Sequence, residues 1–250
     1  MASSTASPGN RRGLIIGAIV AVVVLLALII VGTVGQPATP PTATPTVPAE
    51  GSSTAEAQPE QSPPALPDLS RRIEGDPTAM GPVDAPVVMV EYADYRCPFC
   101  SVFTRDTLPT IVEEYVADGR LRIEWRDLPL FGEDSVAAAV AARAAGEQGL
   151  FWEYHHVIAE AAPNSGHPDL PREKLIEFAT AAGVPDVAAF TAALDSPELL
   201  AQVQADQAEA QSLGVPSTPT FLIGGGAVVG AQPLENFRAA IDTALAEAGR

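Results

Sequence analysis

The sequence predicts an α/β protein, in which one globular domain at residues 71–250 follows a single transmembrane helix and a proline-rich linker. Three observations lead to this prediction. Residues 14–34 are uncharged and mostly apolar, and residues 35–70 are rich in Pro, Thr and Ala. The remainder alternates between strand and helix patterns in the order β-α-β, a helical block, and then β-β-α.

The N-terminal segment has the features of a membrane anchor. Its 21 residues, 14–34, match the ~20 that a helix needs to cross the hydrocarbon core. Arg11 and Arg12 precede it and the first charge after it is Glu50, so residues 1–13 should be cytoplasmic and the C-terminal domain extracytoplasmic. The alternative is a cleaved signal peptide, whose apolar region is normally ~7–15 residues long. We therefore expect a single-pass protein of the cell membrane.

A linker follows at residues 35–70. Nine prolines lie from Pro37 to Pro67, and the residues between them are mainly Thr, Ala, Ser and Gln. This composition favours an extended, partly polyproline II chain and offers little for a core. We expect the linker to hold the globular domain away from the membrane.

The first half of the globular domain shows two strands and a helix. Residues 87–92, Val-Val-Met-Val-Glu-Tyr, begin with an apolar, mostly β-branched run, which predicts a buried strand that leads into Cys97-Pro98-Phe99-Cys100. Apolar residues recur at helical spacing over 101–118, and Gly119 ends this helix. Residues 121–125 alternate between apolar and charged side chains and predict the second strand.

The second half begins with a helical block at about 133–213. Gly and Pro residues interrupt its helical pattern and divide it into four or five helices. Two short strands, 220–223 and 227–229, flank a turn at Gly224-Gly225-Gly226, and residues 234–248 form a closing amphipathic helix.

Composition excludes several classes of function. Acidic residues outnumber basic ones by 31 to 14, which gives a net charge of −17. Binding to DNA or RNA needs a basic surface, so we exclude nucleic acid as a partner. Two cysteines are too few for a disulfide scaffold or a four-cysteine zinc site. We expect neither a metal ion nor a prosthetic group.

The two cysteines lie in one motif at the start of a predicted helix. Residues three apart share a helix face, so Cys97 and Cys100 are within reach of a disulfide. The helix N-terminus should lower the pKa of Cys97 below the ~8.5 of a free cysteine, and Pro98 suits the first helical position. We expect an exposed, attacking Cys97 and a more buried, resolving Cys100, which together form a redox-active pair.

Three other interpretations of the motif are weaker. A structural disulfide between the two cysteines would close a very small loop and stabilise little. A metal half-site would need further ligands, for which only His155, His156 and His167 are available. Covalent haem attachment needs a histidine directly after the second cysteine, where this chain has Ser101.

Further segments point to a known family. They are Glu91-Tyr-Ala-Asp-Tyr-Arg-Cys97-Pro-Phe-Cys100, Arg126-Asp-Leu-Pro-Leu130, Ala144-Ala-Gly-Glu-Gln-Gly-Leu-Phe-Trp-Glu-Tyr-His155 and Gly214-Val-Pro-Ser-Thr218-Pro219-Thr-Phe221. Over about residues 74–248 the chain resembles the DsbA family of thiol-disulfide oxidoreductases, most closely its membrane-anchored bacterial branch. The resemblance implies a thioredoxin fold with an inserted α-helical domain. It also implies a membrane re-oxidising partner of the DsbB or vitamin-K-epoxide-reductase type.

The resemblance assigns roles to other residues. Thr218-Pro219 matches the family's cis-proline dipeptide, so Thr218 would face the disulfide and bind substrate backbone, with Pro219, Pro98 and Phe99 beside it. Glu91 matches a buried acid that exchanges a proton with the resolving cysteine. An ordinary trans proline and a salt-bridged strand glutamate are the simpler alternatives, and Asp94 is a second candidate for the acid.

We expect an enzyme that forms disulfide bonds in exported proteins. Phe99 stands where the best-studied oxidases of the family have a histidine, so a reductase or isomerase of the same fold is the first alternative. A metal- or client-binding module without redox turnover is the alternative from a different class.

Overall fold

The computed structural model of the chain describes residues 67–249. The predicted cytoplasmic N-terminus, the transmembrane segment 14–34 and most of the linker lie outside these residues. Within residues 67–249, no helix has the length and apolar character needed to cross a membrane. The elements are β1 (Ala79–Met80), β2 (Val87–Ala93), α1 (Pro98–Asp106), α2 (Leu108–Ile111), β3 (Leu121–Asp127), α3 (Glu133–Gly146), α4 (Phe151–Ala161), α5 (Arg172–Ala181), α6 (Val187–Ala193), α7 (Pro197–Ser212), β4 (Thr220–Ile223), β5 (Gly226–Val229) and α8 (Leu234–Glu247).

Five strands form one mixed sheet in the order β1-β3-β2-β4-β5. Strands β2 and β3 are parallel, and the other three pairs are antiparallel. The central strand β2 is buried along its whole length, as its apolar and β-branched composition predicts. Strand β1 was not predicted, because two residues are too short to show a periodic pattern.

One face of the sheet packs against α1 and α8. Phe103 of α1, Phe221 of β4 and Phe237 of α8 are fully buried in mutual contact, with ring centroids 4.4, 4.8 and 5.0 Å apart. Aromatic pairs at such distances stabilise a core beyond the area that they bury. The cluster therefore holds α1, which begins with the cysteine motif, against the sheet.

The helix after the motif is not continuous, and the prediction of one helix over 101–118 is wrong. Helix α1 ends at Asp106, α2 starts at Leu108, and Val112–Val116 form a π-helical turn. Pro109 explains the break, because it has no N–H to donate and its ring clashes with the carbonyl four residues earlier. Proline is tolerated in the first turn of a helix, which is its position in α2.

Five helices, α3 to α7, lie between β3 and β4. Helix α3 is the centre of this group and contacts each of the other four. Most of its buried side chains are alanines, which allow neighbouring helices to approach closely. The core that they form also includes Cys97, Cys100 and Trp125, so the helical block packs directly against the cysteine motif.

The other face of the sheet carries a buried charge. Glu124 of β3 accepts the backbone N–H groups of Arg71 at 2.9 Å and Arg72 at 2.8 Å, and it pairs with the guanidinium groups of Arg122 and Arg126. Burial raises the pKa of Glu124, but these donors outweigh burial and lower the pKa to about 2. The charged side of β3 is therefore covered by residues 69–73 instead of facing water.

Candidate active site

Cys97 occupies the N-cap position of α1, and Pro98 is the first helical residue. The N–H of Cys97 donates to the carbonyl of Asp94 at 3.0 Å, and the thiol of Cys97, when it is protonated, donates to the carbonyl of Thr218 at 3.3 Å. Both cysteines are free thiols. At the N-cap, the unpaired N–H groups of the first helical turn lie close to the Cys97 sulfur.

The two thiols differ strongly in acidity. The pKa of Cys97 is lowered to about 6, mainly by a hydrogen bond from Cys100 to its thiolate and further by N–H groups of the first helical turn, while burial acts in the opposite direction. Burial raises the pKa of Cys100 well above its ordinary value, and its hydrogen bond to Cys97 raises it further. At neutral pH the reduced site therefore holds a thiolate on Cys97 and a thiol on Cys100.

The expectation of an exposed Cys97 is wrong in this structure. Cys97 and Cys100 are each only 3% exposed. The carbonyl of Thr218 contacts the Cys97 sulfur, and the helical block packs against both cysteines. The exposed residue of the motif is Phe99, of which 62% is accessible to solvent.

The loop before β4 completes the surroundings of Cys97. The peptide bond between Thr218 and Pro219 is cis. The Thr218 hydroxyl is buried and has no hydrogen-bond partner among the described residues. The carbonyl of Pro219 accepts the N–H of Gly230 at 2.8 Å, which joins this loop to the end of β5. Of the four predicted substrate-binding residues, Pro98 and Phe99 follow Cys97 in the chain, and Thr218 contacts its sulfur directly.

Glu91 is fully buried in the middle of β2, between Trp125 of β3 and Phe221 of β4. Within residues 67–249, neither of its carboxylate oxygens has a hydrogen-bond partner. Burial therefore raises the pKa of Glu91 to about 8, which makes the side chain mainly neutral at pH 7. The alternative of a salt-bridged strand glutamate does not hold here. A charge on Glu91 would raise the pKa of Cys100 further.

Asp94 is also buried, but it has partners. Its carboxylate accepts the N–H of Arg96 at 2.7 Å and the N–H of Leu130 at 2.6 Å. Burial raises its pKa, and these two hydrogen bonds oppose that rise. Asp94 therefore shapes the loop that carries Cys97, and Glu91 is the unpartnered acid.

Two residues near the motif, Arg96 and Thr104, were not singled out from the sequence, and His155 was considered only as a metal ligand. The Arg96 side chain donates to main-chain carbonyls of the β3–α3 and α4–α5 loops and so ties the active-site loop to the helical block. The Thr104 hydroxyl donates to the carbonyl of Cys100 at 3.0 Å and lies 2.9 Å from Nε2 of His155. Spacing from Cys100 indicates Thr104, but no local pattern indicates His155, which comes from α4.

The histidines considered as metal ligands do not form a site. His155 is buried, and burial lowers its pKa to about 3. His167 is exposed and stacks on Phe131 with ring centroids 3.9 Å apart. Across residues 67–249, no three or more His, Cys, Asp or Glu side chains are grouped so that they could hold a metal ion.

Comparison with known proteins identifies relatives. Residues 74–243 match the family model described as Thioredoxin. The probable disulfide bond formation protein D of Bacillus anthracis is 30% identical over 151 residues, which are 59% of this chain and 69% of that protein. The Na(+)/H(+) antiporter NhaA 3 of Salinispora tropica is 34% identical over 171 residues, 67% of this chain, and the chain spans only 24% of that protein's length.

Solved structures share the fold. BdbD from Bacillus subtilis, in its oxidised form, has a TM-score of 0.65 at 24% identity, and the match covers 73% of this chain and 97% of the BdbD chain. The α-DsbA1 of Wolbachia pipientis has a TM-score of 0.59 at 23% identity and covers 68% of this chain and 92% of its own. The family match spans well over half of the chain. The chain therefore belongs to the thioredoxin family, and within it to the DsbA family of thiol-disulfide oxidoreductases.

Proposed function

We propose that the chain is an extracytoplasmic oxidoreductase that forms disulfide bonds in exported proteins through Cys97 and Cys100. The difference in acidity between the two thiols carries the proposal. Cys97 has a pKa lowered to about 6, whereas Cys100 is held as a thiol by burial. A thiol of low pKa is a good leaving group, so a disulfide that includes Cys97 is a reactive oxidant.

The reaction starts from the enzyme with a Cys97–Cys100 disulfide. A substrate thiolate attacks Sγ of Cys97, the Cys97–Cys100 bond breaks, and Cys100 leaves and takes up a proton. A second substrate thiolate attacks the substrate sulfur of the mixed disulfide, and Cys97 leaves as a thiolate. The substrate gains one disulfide and loses two electrons, which the enzyme retains as its dithiol.

The surrounding residues have distinct roles in this reaction. Glu91 donates the proton to Cys100, because its side chain is neutral at pH 7 and therefore holds a proton. When Glu91 ionises, its charge acts on the pKa of Cys100. The main chain of Thr218, next to the Cys97 sulfur, pairs with the substrate backbone, beside Pro219. The exposed ring of Phe99, together with Pro98, contacts apolar parts of the substrate.

Substrate trapping tests the reaction directly. In the full chain with Cys100→Ser, the Cys97 thiolate should attack a disulfide of an exported protein, and one client sulfur leaves as a thiolate. The mixed disulfide should accumulate, because the resolving thiol is gone. A reductant should release the trapped proteins, which mass spectrometry then identifies. The matched control carries Cys97→Ser in addition and should trap nothing. If the Cys100→Ser chain also traps nothing, the site is a binding module without redox turnover.

The reduction potential separates an oxidase from its alternatives. We expect the full chain, equilibrated in glutathione buffers, to have a potential toward the oxidising end of the ~−270 to ~−120 mV range of thioredoxin-fold proteins. A value at the reducing end would contradict an oxidase and support a reductase or isomerase fed by an electron donor.

We further propose that residues 14–34 anchor the chain in the cell membrane with the catalytic domain outside. A membrane partner of the DsbB or vitamin-K-epoxide-reductase type then accepts two electrons from the dithiol and restores the disulfide. The mature protein should keep its N-terminus and fractionate with membranes. A shortened protein in the soluble extracytoplasmic fraction would contradict the anchor.

A further inference from the structure

We propose that an apolar pocket beside the loop that carries Pro219 is a second substrate subsite, which binds an aliphatic or aromatic client side chain a few residues from the reacting cysteine. The inference rests on the proposed function, because it extends the substrate contact beyond the cysteine motif. The proposed subsite serves reduced polypeptide clients that bind in an extended conformation.

The pocket lies on the sheet face opposite α1 and α8. Its walls come from the end of α7 and the following loop, and from the outward side chains of β4 and β5. These are Leu213, Val215, Pro216, Leu222, Ala227 and Val229. The cavity measures about 180 Å³, somewhat more than the ~150 Å³ of an engineered apolar cavity that holds benzene. It therefore has room for one side chain of the size of leucine or phenylalanine.

The lining selects an apolar occupant. Among residues 67–249, no charged side chain lines the pocket. The one polar side chain in this described lining is that of Thr220, whose hydroxyl already donates to the carbonyl of Ser217 at 2.7 Å. Leu213 is 38% exposed and Val229 is 44% exposed, although both are large and apolar. A side chain seated between them would remove this apolar surface from water.

The pocket lies near the active-site loop. Pro216 in its wall lies two residues before Thr218, whose carbonyl is 3.3 Å from the Cys97 sulfur. Two residues span at most ~7 Å between Cα atoms, so the Cα of Pro216 lies within roughly 13 Å of that sulfur. An extended client advances ~3.3 Å per residue. The residue three or four positions from the reacting cysteine therefore reaches the pocket.

Strand β5 offers a path for the client main chain. It is the last strand of the sheet, and its outer edge has no strand partner among residues 67–249. The hydrogen bond from Gly230 to Pro219 continues the pairing of β5 with β4 and brings the end of β5 next to the active-site loop. An extended chain held at Cys97 can add to such an edge through its backbone and place a side chain in the pocket.

Paired peptides test the inference with the full chain in its oxidised form. Each peptide carries one cysteine and one test position that holds either Leu or Ser. Across the series, the test position lies one to five residues before or after the cysteine. Rapid alkylation and mass spectrometry give the rate constant of mixed-disulfide formation. We expect Leu to react about tenfold faster than Ser at three or four residues from the cysteine, and equally at the adjacent position.

Matched variants assign this preference to the pocket. The double exchange Leu213→Ser with Val229→Thr should bring the Leu-to-Ser ratio close to one. The control is Ile73→Thr, which alters a side chain that is 52% exposed and outside the pocket, and it should keep the ratio of the unmodified chain. Circular dichroism verifies that all variants are folded.

Oxidation of dithiothreitol, which has no side chain to place in the pocket, reports on the redox site alone. If the unmodified chain oxidises dithiothreitol and the ratio is one at every position, the subsite is refuted and the proposed function stands. If dithiothreitol is not oxidised, both the subsite and the proposed function fail.

Pro67 and Leu69 also line the pocket, so the residues that precede them in the chain are a competing occupant. A preference that appears only after Leu66→Ser would show that the chain fills its own pocket, which overturns the proposal.

Discussion

Replacing Glu91 with glutamine tests the interpretation that this acid is buried, unpaired and neutral. Both oxygens of Glu91 lack partners within residues 67–249, and burial raises its pKa from 4.5 to about 8. Glutamine has nearly the shape of a protonated glutamate, and it cannot ionise. The exchange Glu91→Gln therefore removes the titration and changes the packing little.

The magnitude follows from linkage between protonation and folding. Because the folded pKa is raised, the native state keeps its proton between pH 4.5 and about 8, while the unfolded chain has lost it. Stability therefore falls as pH rises through this window, by ~1.4 kcal/mol per pH unit. At pH 7 the penalty is about 3 kcal/mol, and above pH 8 it approaches about 5 kcal/mol. Glu91→Gln should stabilise the protein by these amounts and have little effect at pH 4.

Urea unfolding of the reduced protein at pH 4, 5.5, 7 and 8.5 measures the effect. The readout is the difference in unfolding free energy between variant and unmodified chain, because the cysteines titrate in both and largely cancel. The matched control is Glu153→Gln, which removes the same charge from an exposed position on α4.

A difference that stays constant with pH would refute the assignment of a raised pKa to Glu91. A destabilising effect at pH 7 would show that the carboxylate is charged and paired in the native protein. Either result would also remove the basis for Glu91 as the proton donor to Cys100.

Three further predictions concern the thiolate, the buried ion network and the core. Absorbance of the reduced protein at 240 nm, which reports the Cys97 thiolate, should titrate with a midpoint near pH 6. Cys100→Ala should move this midpoint toward 9.0, because the hydrogen bond that most stabilises the thiolate is lost. An unchanged midpoint would show that the helix alone lowers the pKa of Cys97. Glu124→Gln should lower the unfolding free energy by about 3 kcal/mol at pH 7. The pKa of Glu124 is lower in the folded protein than in the unfolded chain, so its contribution to stability is complete above pH 4.5 and should vanish as pH falls through about 2. A loss of stability in Glu124→Gln that does not depend on pH would contradict this lowered pKa. Phe103→Ala should cost about 3–5 kcal/mol in urea unfolding, and a cost below ~1 kcal/mol would show that the aromatic cluster is loosely packed.

Local patterns predicted most of the fold. The strands at 87–92, 121–125, 220–223 and 227–229 are each present within a residue or two of the predicted bounds. The error at 101–118 came from periodicity, which continues across Pro109 although the backbone hydrogen bonds do not. The pairing of β1 with β3 was missed, because a two-residue strand is defined by its partner and has no pattern of its own.

The candidate site also has a part that local sequence predicts and a part that depends on tertiary packing. Cys97, Pro98, Phe99 and Cys100 are adjacent in the chain, so the motif and the following helix predict their arrangement. His155 and Thr104 meet only because α4 packs against α1. The contact between Thr218 and the Cys97 sulfur was expected only from the family resemblance, because the two residues are 121 positions apart. Burial of Cys97 was not foreseen, because it depends on how the helical block packs against the motif.

The sequence by itself determined the chemistry of this protein, because two thiols three residues apart at a helix start are a local arrangement. It also determined the order of strands and helices, since hydrophobic periodicity is a property of short segments. The direction of the Cys97 pKa was also predictable, because Cys100 and the N–H groups of the first helical turn, which lower it, are neighbours in the chain. Only the tertiary structure decided the protonation of Cys100 and Glu91. Their pKa values are raised by desolvation, which distant segments cause and no local pattern encodes.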